Sequence, residues 1–179
     1  MLKDINLIKF AKKFLGDYHW DYARKTTKEE LELFKKNNIK SNKSYLVLGT
    51  PDVLNKFQAF YLTRCIKDKP DYKQFHLDSY VDAIFSDTMD ESGLGIDVDL
   101  IFIYKNDCEF PSEKAESTIC NAVLNKITNR NRDGLSTVIL TEMQLPMLQK
   151  SKELEFINLL KLVRNSGLGL SEALKSIKK

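Results

Sequence analysis

The sequence predicts an α/β domain: a parallel β-sheet with helices on both faces, three layers deep. Three short apolar runs carry this expectation: Tyr45–Leu48, which ends in Gly49-Thr50-Pro51, then Val98–Tyr104, and then Thr137–Thr141. Stretches of helical character lie between them. Strands that alternate with helices build parallel sheets, and strands covered on both faces read as unbroken apolar runs.

A chain of 179 residues is most simply one domain, long enough to bury a core without disulfides or metals. Its apolar fraction of 42% and charged fraction of 30% are those of a soluble globular protein. No apolar run reaches the roughly 18 residues that a membrane-spanning helix needs. Met1-Leu2-Lys3-Asp4 brings an acid early and no small-residue cleavage site follows, so no signal peptide and a cytoplasmic location are expected. Cys65, Cys108 and Cys120 are odd in number and form no C-x-x-C pair, which argues against a zinc site or a disulfide framework. A net charge of +3 permits nucleic-acid contact without requiring it.

Taken in order, Leu2–Tyr22 reads as an amphipathic helix with apolar and basic faces, Lys3, Lys9, Lys12 and Lys13 among the latter. His19-Trp20-Asp21-Tyr22 concentrates aromatics and suggests an edge docked on the main body. Thr27-Lys28-Glu29-Glu30 is a capping box, so a helix is expected from Lys28 to about Lys36. After the first strand, Asp52 is the expected N-cap of a helix reaching Ile66, with Val53, Leu54, Phe57, Phe60, Tyr61 and Leu62 as its apolar stripe. Tyr72–Leu77 reads as a strand, and Asp78 as the cap of a helix over Ser79–Phe85. His76, beside that strand, is expected to be a packed residue rather than a catalyst. Asp87–Gly95 reads as a loop whose three acids lack the spacing of a calcium site. Helices are expected from Pro111 to Arg130, from Leu145 to Arg164 and from Ser171 to Ile177. Gly167-Leu168-Gly169 is expected to break the chain before the last of these. This divides the chain into an N-terminal helical extension (1–43), an α/β domain (44–166) and a C-terminal short helix (167–179).

The turn after the first strand is where nucleotide chemistry would lie. A phosphate-wrapping loop reads G-x-x-x-x-G-K-[ST]: glycines let backbone N–H groups approach phosphate, Lys neutralises it and the hydroxyl holds magnesium. From Gly49 this chain reads Gly-Thr-Pro-Asp-Val-Leu-Asn-Lys. Leu54 stands at the second glycine, Asn55 at the lysine and Lys56 at the hydroxyl, which leaves Gly49 and an out-of-register Lys56 as residual positions. The strand that should end in magnesium-holding acids ends instead in Tyr104 and Lys105, with Asp107 beyond it. Thr141 stands where a polar sensor belongs, followed by Glu142 and Met143. No catalytic residue, metal or cofactor is therefore assigned, and the expectation is a protein that is not an enzyme.

The segment Leu124-x-x-Ile127-x-x-Arg130, followed by Gly134-x-x-Thr137 and a strand ending in Thr141, resembles bacterial helicase loaders and insertion-sequence ATP-binding proteins of the AAA+ superfamily. With the first strand and helix and Val98–Tyr104 in matching order, the resemblance spans Tyr45 to Leu160. It implies a three-layer P-loop NTPase-like (AAA+-like) sheet. It also implies a role in DNA replication, with a replicative helicase or helicase loader as partner and weak contact with single-stranded DNA. The departures at Leu54, Asn55, Tyr104 and Lys105 turn that expectation toward a catalytically inactive binding module. Its candidate contact residues are Lys12, Lys13, Trp20, Arg130 and Arg132, and it is expected to be a monomer or dimer. Two alternatives stand beside it. One is an atypical ATPase that uses Lys56 as a displaced P-loop lysine. The other is a structural subunit resembling clamp-loader delta proteins, whose first strand also reads Y-L-x-x-G.

Overall fold

The computed structural model describes residues 5–36, 44–86, 98–105, 113–142 and 168–169. In order, these form α1 (Ile5–Lys25), α2 (Lys28–Lys36), β1 (Tyr45–Leu48), α3 (Pro51–Cys65), β2 (Tyr72–His76), α4 (Leu77–Ser86), β3 (Leu100–Lys105), α5 (Glu113–Arg132), β4 (Ser136–Thr141) and β5 (Leu168–Gly169). The strands make one sheet in the order β2-β3-β4-β1-β5, and every pairing is parallel.

Side chains alternate across a strand, so each buried strand feeds two cores. Leu100 and Phe102 of β3, Val138 and Leu140 of β4, and Tyr45 and Val47 of β1 share one face. Leu15 of α1, Leu33 and Phe34 of α2, and Phe57, Tyr61 and Leu62 of α3 cover it. On the opposite face Ile101, Ile103, Ile139 and Leu48 meet Leu77, Tyr80 and Val81 of α4 and Val123 and Ile127 of α5. The three-layer α/β architecture expected from the sequence is present. Right-handed crossovers account for which helix lies where. The step from β1 out to β2 carries α3 to one face, and the return steps through β3 to β4 carry α4 and α5 to the other.

The first core is rich in rings. Phe34 meets Phe57 at 5.6 Å between centroids, Phe57 meets Tyr61 at 6.2 Å, and Tyr61 meets Phe102 at 6.0 Å. All four are fully enclosed. This chain of rings ties α2 through α3 to the sheet, and each buried ring contributes about 1.5–3 kcal/mol. The N-terminal helices are thus packed on the sheet, α1 lying along α3.

Several boundaries differ from expectation for local reasons. Helix α1 ends at Lys25, three residues past the expected Tyr22, and breaks at Gly16 (φ 70, ψ 168), a backbone state that is essentially confined to glycine. Thr50, not Asp52, caps α3, because Pro51 takes the first helical position, where its fixed φ and missing N–H cost nothing. Helix α4 follows β2 directly from Leu77, which leaves Asp78 as a first-turn acid rather than a cap. Strand β3 starts at Leu100 rather than Val98. Leu168 and Gly169, expected as a chain break, pair with Val47 and Leu48 as a short strand beside β1. The expected loop over 87–95 and the helices over 145–164 and 171–177 lie outside the described residues, as do Asp107 and Cys108.

Candidate functional site

In open parallel sheets, ligands settle outside the carboxyl ends of the strands, at the point where strand order reverses. Here that point is the end of β1 and β4. From β1 the chain goes outward to β2 and then returns strand by strand to β4 at the flank of β1. The Gly49 N–H donates to the Thr141 carbonyl at 3.1 Å and closes the ladder there.

Only Gly49 and Thr50 separate β1 from α3. The Leu54 N–H already donates to the Thr50 carbonyl at 2.9 Å, so helix begins where a phosphate-wrapping loop would still be open. Residues Pro51 to Lys56 all belong to α3. Pro51 has no N–H to offer, and Asp52 brings a negative charge to the first turn, where an anion would sit. Leu54, at the position of the second glycine, is fully buried in the aromatic-rich core.

Lys56 is engaged by two carboxylates, Glu30 of α2 and Asp52 of its own first turn. Its Nζ lies 3.0 Å from Glu30 Oε1 and 2.7 Å from Asp52 Oδ2, with side-chain exposures of 11% for Lys56, 9% for Glu30 and 59% for Asp52. Burial works against the ammonium charge. Hydrogen bonds and charge from Asp52 and Glu30 outweigh it and raise the Lys56 pKa above its ordinary value. Glu30 also closes the capping box of α2: the Thr27 N–H donates to Glu30 Oε2 at 2.8 Å, and the Glu30 N–H donates to Thr27 Oγ1 at 3.2 Å. One carboxylate therefore caps α2 and pins it to α3.

At the end of β3, Tyr104 Oη lies 2.6 Å from Gln58 Oε1 and 2.9 Å from Asn55 Oδ1. Gln58 is fully buried, and its Nε2 donates to Gln74 Oε1 at 3.1 Å. Burial, helped by the neighbouring phenols Tyr18 and Tyr22, raises the Tyr104 pKa well above its ordinary value. Tyr104 is a neutral phenol at physiological pH and holds α3 to the sheet. Lys105 is buried beside Thr141, its partner in the β3–β4 register. Among the described residues, no group of three His, Cys, Asp or Glu side chains is disposed to hold a metal ion. At the opposite, amino end of the sheet, a cavity of about 390 Å³ is lined by Cys65, Asp68, Asp99 and Ser136 among others. Burial, and then the charge of Asp68, push the Cys65 thiol up to about 12, which keeps it protonated and unreactive.

The remaining candidate residues are scattered. Lys12 and Lys13 are exposed on the first half of α1, and Lys12 pairs with Asp17 at 3.1 Å. Trp20 is half-buried against the core. Arg132 is exposed, 3.7 Å from Asp133. Arg130 is 2% exposed, so the expectation of a surface contact does not hold for it. Its Nε donates to Thr137 Oγ1 at 3.1 Å, and its Nη2 donates to the carbonyls of Val98 at 2.9 Å and Ser136 at 3.0 Å. It fastens α5 to the start of the sheet. The Glu30–Lys56 pair and the Tyr104–Asn55–Gln58 network were not foreseen. The only sequence signal for the first was Glu30 in a capping box, which reads as a surface feature.

No family model matches this chain, and no curated protein matches it. Among solved structures it is similar to domain III of the replication initiation protein DnaA from Thermotoga maritima, at 14% identity and a TM-score of 0.45, covering 94% of this chain and 73% of that one. It is also similar to a candidate primosome component from Streptococcus pyogenes serotype M3, at 12% identity and a TM-score of 0.39, covering 86% of this chain and 83% of that one. Both scores are below 0.5.

Proposed function

We propose that this chain is a non-catalytic, AAA+-like module that binds a protein of the DNA-replication machinery, a replicative helicase or its loader. One observation carries the non-catalytic part. The stretch Pro51 to Lys56 is already helix, and its lysine is held between Glu30 and Asp52, so this stretch offers neither an open phosphate nest nor a lysine free to neutralise phosphate. The replication setting is supported by the residue pattern from Leu124 to Thr141 and its resemblance to helicase loaders. Lys12, Lys13 and Arg132 on the surface, with Trp20 at its edge, are the contact residues of this reading.

Calorimetric titration with ATP and magnesium tests the first half. The expected result is no heat and no rise in melting temperature, because a ligand stabilises only what it binds. Clear binding that disappears in Lys56→Ala would replace this reading with the displaced-lysine ATPase. Titration with a purified bacterial replicative helicase, and separately with its loader, tests the second half. The expected result is a complex with one of them, weakened by Lys12→Glu/Lys13→Glu. No complex with either would overturn the assignment of partner. If single-stranded DNA binds instead, its affinity should fall steeply with salt.

A further inference from the structure

The carboxyl half of α1, residues 17–25, has one buried anchor, and that anchor is a histidine. His19 is 6% exposed, whereas Trp20, Tyr22 and Ala23 are half-buried and the other residues of the segment are exposed. Aliphatic side chains do this work in the first half of the helix, where Ala11 and Leu15 are buried. The His19 ring meets Tyr18 edge-on at 5.2 Å and Tyr72 of β2 at 6.1 Å. Its Nδ1 is buried and has no hydrogen-bond partner among the described residues. An orphaned buried nitrogen requires an explanation, since an apolar residue would fill the same place at lower cost.

Gly16 lies three residues before it, at a non-helical break that separates this segment from the first half of the helix. At the far end, Thr26 turns the chain through hydrogen bonds from its N–H and hydroxyl to the Tyr22 carbonyl at 3.1 and 2.9 Å. Helix α2 is held separately by Glu30 and Lys56 at 3.0 Å. The segment between Gly16 and Thr26 is thus a short arm with firm points on both sides.

We propose that this arm is a pH-released element, docked while His19 is neutral and detached when the imidazole takes a proton. Imidazolium would carry a charge into an aromatic surround, with a second N–H that finds no acceptor. The ionisable groups whose rings touch His19 are the phenols of Tyr18 on its own helix and Tyr72 on β2. Burial raises both above their ordinary range, with help at Tyr18 from Tyr22, so all stay neutral as the pH falls. Tyr104 on β3 belongs to the same phenol group and is likewise neutral. The charged residues of the neighbouring α3 are Asp52, Lys56 and Arg64, the first two engaged with each other. Burial lowers the His19 pKa below its ordinary value. Docking is therefore complete above the ordinary histidine pKa of about 6.5 and is lost as pH falls toward the lower docked value, tenfold per unit of separation.

The chain carries its own reporter, since Trp20 is its only tryptophan and adjoins His19. Trp20 emission is followed from pH 8 to pH 5 at constant ionic strength, with far-UV circular dichroism recorded alongside. The expected result is a red shift with a midpoint below pH 6.5 while the overall helix content holds. The shift should vanish in His19→Leu and in His19→Gln, and persist in His76→Gln, which removes the other histidine. A red shift that survives both His19 variants would overturn the proposal. So would an unchanged Trp20 spectrum down to global unfolding, or an NMR titration that puts the His19 pKa at or above 6.5.

Discussion

Replacing Arg130 with alanine removes a guanidinium that donates to Thr137 Oγ1 and to the carbonyls of Val98 and Ser136 at 2.9–3.1 Å. Each buried acceptor left unsatisfied costs about 1–3 kcal/mol, and the lost packing of a side chain only 2% exposed adds to it. Relief from burying a cation works the other way. The net expectation for Arg130→Ala is a loss of about 3–5 kcal/mol, a large part of the ~5–15 kcal/mol that holds a typical domain folded. Arg130→Lys should recover little, because an ammonium cannot reproduce a planar fork of donors. The assay is equilibrium unfolding in urea, followed by Trp20 emission and circular dichroism, with Arg132→Ala as the exposed control. For an m-value of about 1–3 kcal/mol per molar, the Arg130→Ala midpoint should fall by a molar or more, and the Arg132→Ala midpoint should barely move. If the two variants unfold together, Arg130 is not the clamp its geometry describes, and its role as a surface contact is open again.

Three further outcomes are expected. The Glu30–Lys56 pair should make the protein sensitive to alkali. The Lys56 pKa is raised in the folded chain, so the stability it contributes is full below the ordinary lysine value of about 10.4 and is lost as pH rises through the folded value; melting in Lys56→Met should lose that alkaline limb. Gly16→Ala should cost about 1–3 kcal/mol in urea unfolding, entirely as backbone strain, because an added Cβ there meets no atom within 4 Å. Thr27→Ala should cost about 1 kcal/mol by removing the cap of α2; thermal melting would reveal it as a small, pH-independent drop.

The layered sheet could be read from the sequence because Tyr45, Val47 and Leu48, Leu100–Lys105 apart from Tyr104, and Ser136–Thr141 are buried on both faces of the sheet, and the runs are therefore nearly unbroken in apolar character. Strand β5 could not, since two residues containing a glycine read as a turn until Val47 and Leu48 supply the partner. Arg130 misled for a physical reason. An arginine in the last turn of a helix is normally a solvated charge offsetting the helix dipole, and only the placement of α5 over the start of β3 and β4 turns it inward. The same holds for Glu30, whose capping-box role is local while its burial against Lys56 depends on how α2 meets α3. Tertiary contacts between elements far apart in the chain decide such side chains, and local pattern carries no record of them. The departure of the stretch after Gly49 from the G-x-x-x-x-G-K-[ST] pattern was plain in the residues. A helix over that stretch was legible too, and only its opening at Pro51, ahead of the expected Asp52 cap, was not.

That last point separates two accounts of the end of β1. If the site lacks only side chains, Leu54→Gly, Asn55→Lys and Lys56→Thr would restore the G-x-x-x-x-G-K-[ST] pattern and, with it, a response to ATP and magnesium. The structure predicts otherwise, because each of these positions now has another task. Leu54 is fully buried, and emptying its place costs about 3–5 kcal/mol before the glycine penalty of about 1 kcal/mol in a helix. Losing Lys56 leaves Glu30 buried without its cation, a penalty of about 3–5 kcal/mol, and Asn55 gives up Tyr104 Oη at 2.9 Å. Together these approach the whole stability of the domain, even allowing for coupling among neighbours. The triple variant should melt far below the parent, or fail to fold, and any folded fraction should ignore ATP in a thermal-shift assay. A well-folded triple variant stabilised by ATP and magnesium would mean that α3 can surrender its first turns to a ligand, and that the nucleotide site was masked rather than built over.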